Sequence, residues 1–292
     1  LGQYGNGYHL LLLEALETHA GDAIMLPLIL QTLKSLTFQR PQVRHDLIAQ
    51  GAVASVCGIL HVSSDVVTII APCVSLLCNL TCNKAVHSRG NGEMSSTEGN
   101  NSSESGMLDT RRVCSVVIRA MVHHGQTNAD VAQFCAWTLV NIIVNGPEEN
   151  AATEAVLGSS ILAVVIHLME FYLANVEVQV ACCALIAVLA HQVPHLVSSE
   201  DRGVVCPGPL RTMNAAHVVH ASLNRHEDNS RLQLWFIILT DLTRCTCWRS
   251  EQTNQTHHTR TPTPHMTPLV ARLSLSHFSP VTSTLNLRTL PL

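Results

Sequence analysis

The stretch DVAQFCAWTLVNI (residues 130–142) returns in looser form as EVQVACCALIAVL (residues 177–189), 47 residues further along the chain. Both stretches carry apolar side chains at helical spacing and are rich in Ala, Cys, Leu, Ile and Val. A sequence that repeats itself at a period of this size is typical of proteins built from stacked helical units. The pair therefore predicts an all-α repeat fold.

A Leu-x-x-Leu step recurs along the chain and supports the same period. The pairs are Leu33/Leu36, Leu77/Leu80, Leu139/Ile142, Ile186/Leu189 and Leu239/Leu242, and successive pairs are separated by 44, 62, 47 and 53 residues. Two separations match the roughly 40–47 residues of known helical repeats. The two longer ones contain insertions, at 84–107 and 198–209, that are too polar to build a core.

Local signals place the helices between these steps. We predict helices over Tyr8–His19, Ile24–Thr37, Val43–Gln50 and Ala52–His61, with Pro41 ending the second and Gly51 the third. A column of residues also closes the helix before each long helix: His19, His124, Tyr172 and His226. Histidine suits a helix C-terminus, where the dipole favours it, so we interpret this column as structural.

The composition excludes several classes of protein. Charged residues make up 13% of the chain, about half the usual share. Residues 248–292 carry a net charge of +3, which leaves −7 on residues 1–247, and the only lysines are Lys34 and Lys84. A nucleic-acid-binding surface would need clustered Lys and Arg, so we predict no nucleic-acid partner. No apolar run reaches the roughly 18 residues of a membrane span, and we predict no membrane partner.

The sequence offers little chemistry. Its eleven cysteines mostly lie in apolar helical runs, where a reduced thiol behaves as a small hydrophobe. Cys245, Cys247, His257 and His258 could supply four zinc ligands, but their spacing fits no common module. We find no phosphate-binding loop, nucleophile elbow or metalloprotease motif. We therefore predict no catalytic residues, no metal and no cofactor, and a protein that is not an enzyme.

Several phrases resemble the armadillo-repeat family. Residues 47–53, followed by Val56 and Leu60, resemble its first-helix, glycine, second-helix phrase, and residues 135–142 and 181–185 resemble its third helix. The resemblance covers roughly residues 8–245, and a HEAT-type repeat is the alternative. It implies a right-handed α-solenoid of about five units, some incomplete, whose third helices line a concave groove for an extended peptide or a partner helix.

Helical spacing places one ladder of side chains along that groove, because residues four apart share a helix face. We predict partner binding by Ser75, Asn79, Gln133, Trp137, Asn141, Gln233 and Asp241. Trp137 and Asn141 resemble the Trp-Asn pairs with which importin-α-like proteins hold basic peptides. The other interpretation is that Trp137 packs between repeats and that Asn141 bonds a neighbouring backbone group.

These observations predict a non-catalytic scaffold that binds other proteins through the groove. Residues 1–247 form the repeat domain, and the Thr/Ser/Pro-rich residues 248–292 a disordered tail. The alternative is a nuclear-transport adaptor for basic cargo, and a third is a metal protein or enzyme using the Cys/His-rich end. We expect a cytoplasmic monomer, with the nucleus as a second compartment. Because the chain begins with Leu1 and its first helix resembles the middle of a repeat, we also expect a fragment or a partial gene model.

Overall fold

The computed structural model describes residues 7–63, 65–82, 110–145, 156, 161–192 and 215–243, which all belong to one compact unit, residues 1–257. They form eleven α-helices: α1 (Tyr8–Thr18), α2 (Met25–Thr37), α3 (Pro41–Ala49), α4 (Ala52–Val62), α5 (Val67–Thr81), α6 (Thr110–His124), α7 (Ala129–Asn145), α8 (Ile161–Phe171), α9 (Val176–Gln192), α10 (Ala215–Arg225) and α11 (Ser230–Thr243). The predicted insertions 84–107 and 198–209 and the predicted tail 248–292 lie outside the described residues.

The all-α class is confirmed, and the described residues contain no strand. The predicted helix limits agree with those of α1, α2 and α4 to within a residue or two. Helix α3 begins two residues earlier than predicted. Pro41 is the first residue of that helix, where its fixed φ fits and its missing N–H costs nothing. Gly51 separates α3 from α4 at a φ of 84°, a left-handed conformation that favours glycine.

The contacts between helices define two rows. A first row runs α2, α5, α7, α9 and α11, each helix packing on the next, and a second row runs α4, α6, α8 and α10 in the same way. Each second-row helix also packs on the first-row helix that follows it in the chain. Helix α1 contacts α2 and α4, and α3 contacts α1, α2, α4 and α5. The described helices are therefore arranged as successive pairs.

Burial explains why the first-row helices are so apolar. Every side chain of α9 from Val178 to Ala190 is buried, because α7, α8 and α11 all pack on it. Such a helix is apolar all round rather than amphipathic. Helices α1 and α2 differ, since Tyr8, Leu11 and Leu28 are exposed there. The core is thus continuous through the middle of the rows.

The turn between α6 and α7 contains Gly125, which is buried. A Cβ atom at Gly125 would overlap the carbonyl oxygen of Met121 and would lie 3.1 Å from a methyl group of Leu168 in α8. Since one of the two obstacles is backbone, a rotamer change alone cannot make room. The absence of a side chain at Gly125 lets the second-row helices α6 and α8 approach each other here.

We expect Gly125→Ala to lower the free energy of unfolding by about 1–3 kcal/mol, because the added methyl group must displace the backbone. Gly58→Ala in α4 is the matched control, because its Cβ would meet no atom within 4 Å. Alanine there should be neutral or stabilise by up to about 1 kcal/mol. Urea unfolding followed by circular dichroism measures both. Equal effects of the two substitutions would contradict the packing described for Gly125.

Candidate binding surface

Four first-row helices are preceded by a capping Asp or Asn. The caps are Asp22 before α2, Asn128 before α7, Asn175 before α9 and Asn229 before α11, and each side-chain oxygen accepts backbone N–H groups of the first turn at 2.9–3.3 Å. A cap of this kind stabilises a helix by about 1 kcal/mol. The backbone N–H bonds from Met25 and Ile24 also lower the pKa of Asp22. These caps fix where the long helices begin.

The predicted column of His and Tyr residues lies in the turns that lead into these caps. The backbone carbonyl of each column residue accepts the N–H of the cap that follows, as at His19–Asp22, His124–Asn128, Tyr172–Asn175 and His226–Asn229, at 2.8–3.0 Å. A similar backbone turn therefore occurs in four helix pairs that were aligned from sequence alone.

Two column side chains reach the preceding turn. The Tyr172 hydroxyl donates to the carbonyl of Gln126 at 2.7 Å, and His226 Nε2 lies 2.9 Å from the carbonyl of Leu173. A carbonyl only accepts, so Nε2 of His226 carries the proton in this contact. The sequence pattern predicts that these residues close their own helix. Their side chains instead link one turn to the turn before it.

A second set of hydrogen bonds joins the first-row helices. Asn79 of α5 donates from Nδ2 to the carbonyl of Lys34 at 3.0 Å and to Thr37 Oγ1 at 3.1 Å, both in α2. Asn141 of α7 donates from Nδ2 to the carbonyl of Cys78 at 3.0 Å and reaches Thr81 Oγ1 at 3.5 Å, both in α5. The two sets occupy equivalent positions, since Lys34 and Cys78 each follow the first leucine of an aligned step.

The next junction, between α7 and α9, has neither the Asn nor the Thr side chain that meet at the two junctions before it. Positions are counted from the first residue of each Leu-x-x-Leu step. Ile143 is then equivalent to Thr37 and Thr81, and Val188 is equivalent to Asn79 and Asn141. Both are buried. Replacing only one partner by an apolar residue would leave a buried polar group unpaired, which costs about 1–3 kcal/mol. The Asn and the Thr side chains are therefore absent together.

The predicted ladder is mostly buried at its centre. Ser75 is 1% exposed, Trp137 is 3% exposed and Asn79 is 9% exposed, whereas Gln133 and Asn141 are half-buried. Helical spacing places Ser75, Asn79 and Trp137 along the groove, but their side chains are buried. Helix spacing shows which residues share a face, but it does not show which face a helix buries when it is apolar all round. The partner-binding role of the seven residues stays a prediction.

Ser75 and Trp137 share a further property. Ser75 Oγ and Trp137 Nε1 are both buried without a hydrogen-bond partner among the described residues. The two residues are equivalent, because each lies two positions before the first leucine of its aligned step. At equivalent positions of the neighbouring helices α5 and α7, one buried polar atom, Ser75 Oγ or Trp137 Nε1, therefore has no hydrogen-bond partner among the described residues.

The last unit is displaced from its predicted register. Gln133 lies five residues after its cap, whereas Gln233 lies four residues after Asn229, as Gln179 does after Asn175. Gln179 Nε2 donates to the carbonyls of Met169 and Tyr172 at 2.8 and 2.9 Å, and Gln233 Nε2 donates to the carbonyl of Glu227. Gln233 is thus equivalent to Gln179, not to Gln133. The side chain of Asp241 lies outside the described residues.

The part of this surface that is open to solvent lies towards the two ends of the first row. Gln31 and Ser35 of α2 carry solvent-accessible side chains, and so do Gln233 and Ile237 of α11. Between them, the Lys34 ammonium lies 4.9 Å from the centre of the Phe134 ring of α7. Burial lowers the pKa of Lys34, and the nearby Asp130 carboxylate opposes this effect. The side chain of Lys34 therefore reaches from α2 to a ring on α7.

Most of the described cysteines are buried, which keeps their thiols protonated. Burial raises the pKa of the Cys114 and Cys182 thiols to about 12, and it also raises the pKa of the Cys73, Cys78, Cys135 and Cys183 thiols. Within the described ranges, no group of three His, Cys, Asp or Glu side chains could hold a metal ion. The zinc candidates Cys245, Cys247, His257 and His258 lie outside those ranges.

Comparison with protein-family models, with curated proteins and with solved structures finds no match to this chain.

No single described helix is long and apolar enough to cross a membrane. The pair α3 and α4 meets that length and composition only when the two helices are joined, and a bend of 74° separates them.

We expect Asn79→Ala to lower the free energy of unfolding by about 1–2 kcal/mol, because it removes two buried hydrogen bonds between helices. Thr32→Val is the matched control, since Thr32 bonds only the Leu28 carbonyl of its own helix among the described residues and is exposed. That control should cost less than about 0.5 kcal/mol. Urea unfolding measures both.

The interaction free energy between Asn79 and Thr37 shows whether the two side chains stabilise the protein together or independently. In a double-mutant cycle with Asn79→Val and Thr37→Val, the double variant should lose about 0.5–1 kcal/mol less than the sum of the single variants. An additive result would contradict the pairing.

We also expect stability to fall as the pH rises above about 8.5, because unfolded thiols ionise there while buried thiols stay protonated. The unfolded chain then binds fewer protons than the folded chain, up to the raised pKa of about 12 at Cys114 and Cys182. Urea midpoints between about pH 7.5 and 10.5 span the onset of this loss. Cys182→Ala should reduce the slope, and an unchanged slope would show that Cys182 does not contribute to it.

Proposed function

We propose that the protein is a non-catalytic scaffold, an armadillo-like α-solenoid that binds an extended peptide or a partner helix along its first row of helices. The observation that carries the proposal is the repetition of one structural unit. The turn and the cap recur in four helix pairs, and each first-row helix contacts the next. Stacked units of this kind expose one long surface, and binding is what such surfaces are used for.

Burial divides the predicted ladder into two roles. The exposed or half-buried residues Gln133, Asn141 and Gln233 would contact the partner, together with Asp241. The buried residues Ser75, Asn79 and Trp137 would hold the helices that present them. Asn141 joins both roles, because its Nδ2 donates to the Cys78 carbonyl while the side chain is half-buried. Polar amides at regular spacing suit a peptide backbone, whose N–H and C=O groups recur at a fixed interval.

Partner chemistry distinguishes this proposal from a transport adaptor for basic cargo. The ladder contains one carboxylate, Asp241, and one Trp-Asn pair, and Asn141 of that pair is already bonded to α5. Lys34 adds a cation near Phe134. These features favour a neutral or weakly charged peptide over a strongly basic one. We infer a monomer in the cytoplasm, with the nucleus as a second compartment.

The experiment selects short peptides from a displayed random library against the whole chain. It then measures the affinity of each selected peptide for the variant Gln133→Ala with Gln233→Ala, which truncates two predicted contacts that are not fully buried. We expect about a tenfold or greater loss of affinity, equivalent to about 1.4 kcal/mol. Ala54→Ser with Ala163→Ser is the matched control, because both alanines are exposed on the second row, and it should bind like the parent.

Three results would contradict the scaffold proposal or part of it. Selection of no peptide at all would contradict groove binding. Equal losses in the ladder and control variants would place binding elsewhere. Selection of Lys/Arg-rich peptides alone would favour the transport adaptor instead.

A further inference from the structure

Helix α6 has an exposed face without a single carboxylate. Arg111, Arg112, Ser115, Val122 and His123 are exposed on it, and the whole helix contains no Asp or Glu. Residues 1–247 carry a net charge of −7, whereas this one helix carries three arginines. A concentration of one sign of charge on a low-charge surface sets up a local field for the opposite charge.

Arg119 extends this face to the neighbouring helix α4. Its Nη2 lies 2.7 Å from Nδ1 of the exposed His61. A guanidinium only donates hydrogen bonds, so Nδ1 of His61 accepts and the positive charge of Arg119 is not neutralised by this contact. Within the described part of the chain, neither Arg111 nor Arg119 forms an ion pair with a carboxylate.

The helices packed against α6 add few opposing charges. Helices α4, α5, α7 and α8 contact α6. Their described charged or titratable side chains, cysteines aside, are His61 on α4, Asp130 on α7, and His167 and Glu170 on α8, with none on α5. Glu170 lies 4.0 Å from His167, and the Asp130 carboxylate acts on Lys34 of the first row. Among the side chains that the structure describes on these five helices, the arginines of α6 are therefore the main charges.

We propose that the face formed by Arg111, Arg112, Arg119, His61 and His123, the basic face, binds an acidic peptide segment of a partner protein. It belongs to the second row of helices, whereas the proposed scaffold surface belongs to the first. Arginine recognises carboxylates through parallel N–H bonds, and the exposed Val122 offers an apolar contact beside them. The basic face is independent of the ladder residues.

The size of the face favours a peptide over a nucleic acid. Fifteen residues of α-helix extend about 22 Å, enough for the carboxylates of two or three helical turns of a partner. Nucleic-acid binding normally uses a larger number of phosphate contacts and clustered lysines, and only two lysines occur in the whole chain.

The test measures binding of a fluorescent Glu/Ala peptide to the whole chain by anisotropy, with a Lys/Ala peptide and a single-stranded DNA of equal net charge as competing probes. Arg111→Ala with Arg119→Gln removes two charges of the basic face and keeps a polar side chain at position 119. Arg40→Ala with Arg225→Ala is the matched control, because it removes the same charge from two exposed arginines elsewhere.

We expect the Glu/Ala peptide to bind most tightly, and the basic-face variant to lose about tenfold or more in affinity while the control stays within about twofold. Equal losses in the two variants, or no binding of the Glu/Ala peptide, would overturn the proposal. Tighter binding of DNA that is lost in the basic-face variant would also overturn it, in favour of phosphate recognition. The variant Gln133→Ala with Gln233→Ala should bind the acidic peptide normally, so failure here is separate from failure of the scaffold proposal.

Discussion

The amide hydrogen bonds of Asn79 and Asn141 fix how each of these first-row helices sits along the helix before it. Apolar burial drives the helices together, but it has no direction, and a helix that is apolar all round can slide or rotate against its neighbour at small cost. A buried amide with a carbonyl partner has only one satisfied position. The register among α2, α5 and α7 therefore depends on a few polar atoms in surroundings that are otherwise aliphatic.

The side chains that α5 and α7 expose depend on that register. A shift of one residue along an α-helix turns every side chain by about 100°. Such a shift would carry Gln133 and the solvent-facing side of Asn141 away from the surface and would bring apolar residues out. The proposed binding surface is thus maintained by hydrogen bonds between helices. The basic face on α6 depends on them less, because its charges lie on the second row.

The sequence was sufficient to predict the helical class, the limits of several helices and the 47-residue spacing, which also separates the caps Asn128 and Asn175. It was not sufficient to show which side of α5 and α7 is buried, since apolar residues surround both helices and periodicity gives no direction. The dependence of Asn79 on Thr37 was also hidden, because it exists only once the chain has folded. The register error in the last unit was avoidable, since Asn229 before an apolar helix is a recognisable start signal.

The bonds from Tyr172 to the Gln126 carbonyl and from His226 to the Leu173 carbonyl join consecutive turns along one edge of the helix pairs. Hydrogen bonds resist stretching within a few tenths of an ångström, whereas apolar side chains can roll over one another with little change in contact. The two bonds therefore hold three successive turns, those after α6, α8 and α10, to a closer tolerance than apolar packing alone would. Any force that separates these helix pairs has to break directional bonds at the turns as well as part the apolar side chains.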